Sequence, residues 1–120
     1  MKFISVVPLD DRGRQILTQV IYKPFTHMAS LLGRPSSVGQ CIFPNCNNYH
    51  TYFTNYPVDI CFLDQTLQVI ETRRRVMPFR NHVNGQGQYV IMRPCTGYER
   101  WYEIGERLVF MEYGQVLCEL

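Results

Sequence analysis

One stretch, Tyr49–Asp64, gathers the side chains of this sequence best suited to chemistry: His50, Thr51, Asn55, Asp59, Cys61 and Asp64, set among aromatic and aliphatic residues. A histidine titrates near neutrality, so His50 beside Thr51 reads as a proton carrier or ligand contact at the mouth of a polar pocket. The bland alternative is a histidine that hydrogen-bonds backbone and shapes the entry to a strand. Asp59 follows Pro57 and sits just inside an apolar run. A charged carboxylate buried there without a partner costs on the order of several kcal/mol. It must therefore face a polar pocket, backbone N–H groups, or a cation such as Arg34 or Arg80. Asp64 reads as a turn residue, because aspartate accepts hydrogen bonds from N–H groups two residues on.

A histidine with two carboxylates suggests hydrolysis, with His50 as base and Asp59 orienting it. Strand parity works against a carboxylate pair. Asp59 and Asp64 are an odd number of residues apart and face opposite sides of a regular strand. Cys61 shares the parity of Asp59, but its apolar neighbours raise a thiol pKa and make a poor nucleophile. Cys41, Cys46 and His50, with Cys95 or His82, would be a zinc set, yet the spacing is not that of compact paired-cysteine knuckles. No metal and no cofactor is expected. Arg73, Arg74, Arg75, Arg80 and Arg93 make the middle of the chain basic, with aromatics nearby, as on surfaces that stack nucleic-acid bases. Arginines also protect strand edges from unwanted pairing.

The elements that must position these residues follow from size and pattern. At 120 residues, 46% hydrophobic and with a net charge of +2, the chain suits a single domain, 1–120, with a continuous core. It has no apolar run of the ~20 residues a membrane span needs. Met1–Asp10 lacks the apolar core of a secretory signal, so a cytoplasmic location is expected. Five cysteines, an odd number, read as reduced and mostly buried.

Phe3–Val7 and Gln15–Tyr22 read as a hairpin around a turn at Asp10–Gly13. Lys23–Leu32 changes period: Pro24 opens a short helix, Phe25, Met28, Leu31 and Leu32 share a face, and Gly33 stops it. A loop, Arg34–Gln40, leads to a strand at Cys41–Phe43 and a polar turn at Asn45–Asn48. Thr51–Thr54 is a short strand candidate and Val58–Leu63 the strongest strand. Leu67–Arg75 returns, Val76–Gln88 is the longest loop, and Tyr89–Met92 is a late strand. Gly97–Ile104 holds a helical turn, and Leu108–Met111 with Gln115–Cys118 forms a terminal hairpin. Many short strands and one helix make a small, mostly β domain.

The order of several motifs resembles the domain-of-unknown-function 192 family, also known as uncharacterised protein family 0127, over about 23–110. They are Leu31-Leu-Gly-Arg34, His50-Thr51 followed by Tyr56-Pro-Val-Asp59 and Phe62-Leu-Asp64, Tyr89-Val-Ile91 with Pro94, and Ile104-Gly-Glu106. The chain departs from the family at His27, Ser30 and Thr54, at Met92-Arg93, and in lacking a glycine after Asp64. The resemblance implies a compact, barrel-like β domain with one short α-helix after the N-terminal hairpin. It implies no mechanism. The expected function is a non-enzymatic binding or accessory module with a polar pocket for a small polar ligand or peptide. The pocket would lie between the helix end, the His50–Asp59 segment and the Val76–Gln88 loop. Arg34, His50, Thr51, Asn55, Asp59 and Arg80 would serve it, and a protein partner is the fallback. A small hydrolase using His50 and Asp59 ranks second and an arginine-edged nucleic-acid binder third. The sequence carries no signal for oligomeric state.

Overall fold

The β-branched and aromatic runs form strands, as their propensity dictates. The structure, a computed structural model, describes residues 2–22, 39–51, 54, 56–95 and 100–120. The expected helix, Lys23–Leu32, and the site residues Arg34 and Asn55 lie outside the described residues. The strands are β1 (Lys2–Pro8), β2 (Leu17–Val20), β3 (Gln40–Pro44), β4 (Asn48–His50), β5 (Val58–Leu63), β6 (Val69–Val76), β7 (Asn81–Val83), β8 (Tyr89–Pro94), β9 (Leu108–Glu112) and β10 (Gln115–Leu117). A short 3-10 turn, Leu9–Asp11, follows β1.

Eight strands make one sheet in the order β10-β9-β1-β2-β3-β8-β5-β6, and β4 and β7 form a separate ribbon. The N-terminal and C-terminal hairpins both form, with Lys2 opposite Val20 and Gln115 opposite Glu112. Tyr113 and Gly114 turn the latter with φ of 52° and 79°. Two positive φ values are what a type I′ turn requires, and its twist matches the strands. β2 and β3 pair in parallel, so the chain between them must cross over.

The mostly β reading holds, but the barrel does not close. The sheet is open, ending in β10 and β6. Among the described residues its ends meet at an isolated bridge, Gln68 to Arg107, flanked by Val69 N–H donating to the Glu106 carbonyl (2.8 Å) and Leu108 N–H to that of Leu67 (2.9 Å). Beyond that point β10 folds back and takes the free edge of β9 at Phe110–Glu112. β6 is therefore barred from zipping further along it.

Three further expectations change. β4 forms at Asn48–His50, partly where a polar turn is expected, and β7 forms inside the expected Val76–Gln88 loop. Both strands are short and gain their partner only across the fold, Tyr49 opposite His82. Arg100–Glu103 carry no helix; Trp101 and Tyr102 insert into the core instead.

The sheet buries both faces in its middle. Ile4, Val6, Ile42, Leu63, Ile91, Trp101 and Phe110 belong to one apolar cluster. Val58, Ile60, Phe62, Val90 and Met92 belong to a second, capped by Tyr49 of the β4–β7 ribbon. β5 contributes to both, and all its residues are buried. No helix among the described residues is long and apolar enough to cross a membrane.

Gly87 sits at a close approach between ribbon and sheet. A Cβ there would lie 3.0 Å from the Phe62 ring, 3.2 Å from the Asn84 carbonyl oxygen and 3.3 Å from the Asn47 Cα. Two of these neighbours are backbone and cannot yield cheaply. Gly87→Ala is expected to destabilise the fold by about 1–3 kcal/mol, as overpacking does. Urea denaturation of the two proteins should show the lower midpoint with an unchanged slope.

Candidate functional site

Asp59 lies in β5, flanked by β8 on one side and β6 on the other, and is fully buried. The ladder register places it opposite Arg93 of β8. On the β6 side the register slips between Val58 and Ile60, a bulge that leaves backbone unpaired. Asp59 fills that gap. Its Oδ1 accepts the Arg75 N–H (3.1 Å), and its Oδ2 accepts Arg74 Nη2 (3.2 Å) and Arg93 Nε (3.0 Å). The Arg93 guanidinium also lies 4.6 Å above the Trp101 ring. Burial alone pushes the carboxyl up. Hydrogen bonds from Arg74, the Cys95 thiol, the Arg75 amide and Arg93 outweigh it and hold Asp59 below the usual carboxylate range.

Thr51 ties the end of β4 to the turn before β7. Its N–H donates to the Arg80 carbonyl (2.8 Å), its hydroxyl donates to the Met77 carbonyl (2.8 Å), and it accepts the Arg80 N–H (2.9 Å). Its carbonyl accepts Phe79 N–H (3.2 Å) and the Thr54 hydroxyl (3.0 Å). Fully buried, with its polar groups in use, Thr51 shapes the turn from within.

These two anchors frame an open concavity of about 550 Å³ lined by Tyr49, Arg73, Arg74, Arg75, Arg80 and Asn81, with Val76 and Met77. Arg73 donates to Glu71 (2.7 Å), whose carboxylate also meets His82 Nε2 (2.9 Å) and Asn84 Nδ2 (2.9 Å). His82 is wedged edge-on against Phe62, with ring centroids 5.9 Å apart. Arg74 is held by Asp59. The side chains of Arg75 and Arg80 are exposed and have no carboxylate partner among the described residues. Arg75 and Phe79 both adopt left-handed backbone, φ 57° and 67°, which is rare for residues other than glycine.

The expected pocket thus separates into parts. The His50–Asp59 segment and the Val76–Gln88 region do meet, through Thr51 and Arg80. Arg80 reaches the concavity, whereas Thr51 and Asp59 stand behind it as buried supports. His50 ends β4 and is half-buried. The cation that neutralises Asp59 is not Arg80 but Arg74 with Arg93, because the bulge sets which part of β6 faces it. Asp64 behaves as a turn residue, its Oδ1 accepting Thr66 N–H (2.8 Å) and Gln68 N–H (3.1 Å). Leu67 takes φ 67° in that turn, the conformation for which glycine is the usual choice. Cys61 is fully buried and burial pushes its thiol up; that of Cys41 rises to about 12. Neither is an activated nucleophile. Sequence reasoning missed the pairing of Glu71 with Arg73 and His82. The only signal for it was Glu71, a carboxylate beside an arginine run.

No family model and no curated protein matches the chain. Two crystal structures share its fold. One is a candidate transcription regulator from Sinorhizobium meliloti 1021, 15% identical, covering 91% of this chain and 94% of that one, with a TM-score of 0.72. The other is a protein of unknown function from Novosphingobium aromaticivorans DSM 12444, 15% identical, covering 88% and 82%, with a TM-score of 0.61. At this identity the likeness is one of fold.

Asp59→Ala would strand two guanidinium groups and the Arg75 N–H. A loss of about 3–5 kcal/mol of unfolding free energy is expected, measured by urea denaturation. Acid should act on the same centre. The unfolded chain takes up a proton at Asp near pH ~3.9, while the folded chain holds out to lower pH. The unfolded state then binds more protons. Stability from this group is complete above that range and is lost as pH falls below it. Asp64 and Glu71, also held low, add to the same acid limb. Asp59→Asn should flatten that limb in a pH series of denaturation midpoints, and a parallel curve would count against the assignment.

Proposed function

We propose that this domain is a non-enzymatic binding module that takes an anionic ligand in the arginine-lined concavity beside β6. The charge balance carries this reading: Arg75 and Arg80 line the concavity without a carboxylate partner among the described residues. A guanidinium fork matches carboxylate or phosphate oxygens geometrically. Two further observations support the reading. Left-handed backbone at Arg75 and Phe79 stores on the order of 1 kcal/mol each, and such strain concentrates at ligand sites. The volume of about 550 Å³ suits a small molecule. The expected polar ligand or peptide is thereby narrowed to an anionic one, with Arg80 as a direct contact and Thr51 and Asp59 as supports.

Hydrolysis by His50 and Asp59 is less favoured, because the Asp59 oxygens are engaged by Arg74, Arg93 and the Arg75 N–H. A second reading, single-stranded nucleic acid, draws on Phe79, which is 72% exposed beside Arg80 and offers a stacking surface. We also infer kinship with the domain-of-unknown-function 192 family, on the order of its motifs along this chain.

Calorimetric titration with inorganic phosphate, pyrophosphate and citrate tests the site. At least one should bind, and Arg75→Gln or Arg80→Gln should weaken it by about tenfold, the worth of one charge-assisted hydrogen bond. A wild type that binds none of them removes the small-ligand reading. An oligo-dT titration across a salt series addresses the second: a steep decline supports it, and absence of binding or a flat series removes it.

A further inference from the structure

We propose a second binding site, in a separate cavity bounded by Pro8, Arg14, Ile16, Gln40, Trp101 and Tyr102, that takes a small carboxylic acid carrying a hydrogen-bond donor. The cavity holds about 230 Å³ and shares no lining residue with the β6 concavity. This is below the ~300–1,000 Å³ of pockets for drug-sized ligands, and is the scale of a small organic acid and not of a polymer.

Its lining is net positive. Three arginines and Glu106 line it. Arg93 is held by Asp59. Arg100 donates to Glu106 (2.9 Å), which also accepts the Glu103 N–H (2.7 Å). Arg14 has no carboxylate partner among the described residues, and its backbone is fixed by its N–H to the Asp11 carbonyl (3.2 Å). Arg14 is thus the lining cation that a ligand carboxylate would meet.

The cavity's polar floor is built and oriented. Gln40 is buried, and its Nε2 donates to both Thr18 Oγ1 (2.9 Å) and the Tyr102 hydroxyl (2.7 Å). Tyr102 in turn donates to the Val6 carbonyl (2.7 Å). With both amide hydrogens spent, the amide presents its oxygen, for which no donor exists among the described residues. That oxygen can accept a hydrogen bond from a ligand donor. The Trp101 N–H is committed to the Ile60 carbonyl (3.3 Å), so its ring offers apolar surface, as Pro8 and Ile16 do. A carboxylate for Arg14, a hydroxyl or ammonium for Gln40 and a short carbon skeleton between them meet these demands. Hydroxy and amino acids have that form.

Trp101 is the single tryptophan of the chain and lines the cavity, so its fluorescence reports on this site directly. The full chain is titrated with lactate and L-alanine, with acetate as the acid lacking a donor and lactamide as the donor lacking a carboxylate. Lactate or alanine is expected to give a saturable change, acetate a weaker one and lactamide none. Arg14 is exposed, so Arg14→Gln should keep the wild-type melting temperature while weakening binding by about tenfold. Arg75→Gln should leave it unchanged, which separates this site from the β6 concavity. No saturable change with any acid, or equal binding by Arg14→Gln, overturns the proposal. Acetate binding as tightly as lactate overturns the role of Gln40.

Discussion

The structure turns on one buried charge. Asp59 sits in the strand that feeds both apolar clusters, where an isolated carboxylate would cost far more than the fold can bear. Its compensation comes from both neighbouring strands at once: the Arg93 side chain from β8, and the Arg74 side chain and Arg75 backbone from β6. The ion cluster therefore specifies register. Sliding β6 by one residue would separate the carboxylate from its donors and turn the arginines inward. The bulge beside Asp59 is stable because the carboxylate takes over the N–H that the ladder abandons.

From that centre the basic surface is organised outward. Arg93 is drawn toward Trp101 and the smaller cavity, Arg74 toward the open concavity, and Arg75, on left-handed backbone, lines that concavity too. Thr51 performs the same service for the neighbouring turn with neutral groups, fixing both the N–H and the carbonyl of Arg80. In each case a buried polar group holds backbone, and an exposed arginine is the consequence. The polar core thus spends its hydrogen bonds on positioning, while the surface charges beyond it stay available.

What the sequence made legible tracks how local the determinants are. β5 could be read at once, because a continuous apolar run buried on both faces has no rival interpretation, and the terminal hairpin carried its turn chemistry in Tyr113-Gly114. β4 and β7 could not, since each has only three residues and depends on the other across the fold. The open sheet was hidden for a similar reason: it follows from β10 occupying an edge, which no local pattern encodes. For the site, the need of Asp59 for a partner was plain from its apolar setting, but the partner was not. The bulge lies in β6, and it, not the alternation along β5, decides which arginine meets the carboxylate. Gln40 gave no signal at all, because a glutamine flanked by a loop and an apolar strand looks like any surface residue.

The pairing of β1 with β9 has a bearing on how the chain is born. β1 lies inside the sheet with β2 on one side, yet its other edge stays unpaired until Leu108–Met111 has been made. A nascent chain can zip the first hairpin early, but it carries an exposed strand edge until β9 has emerged. Contacts of such long sequence separation form slowly and leave edges open to other chains. β9 must therefore emerge before the sheet is sealed, and any event that halts translation upstream of it leaves a sticky fragment and not a smaller domain.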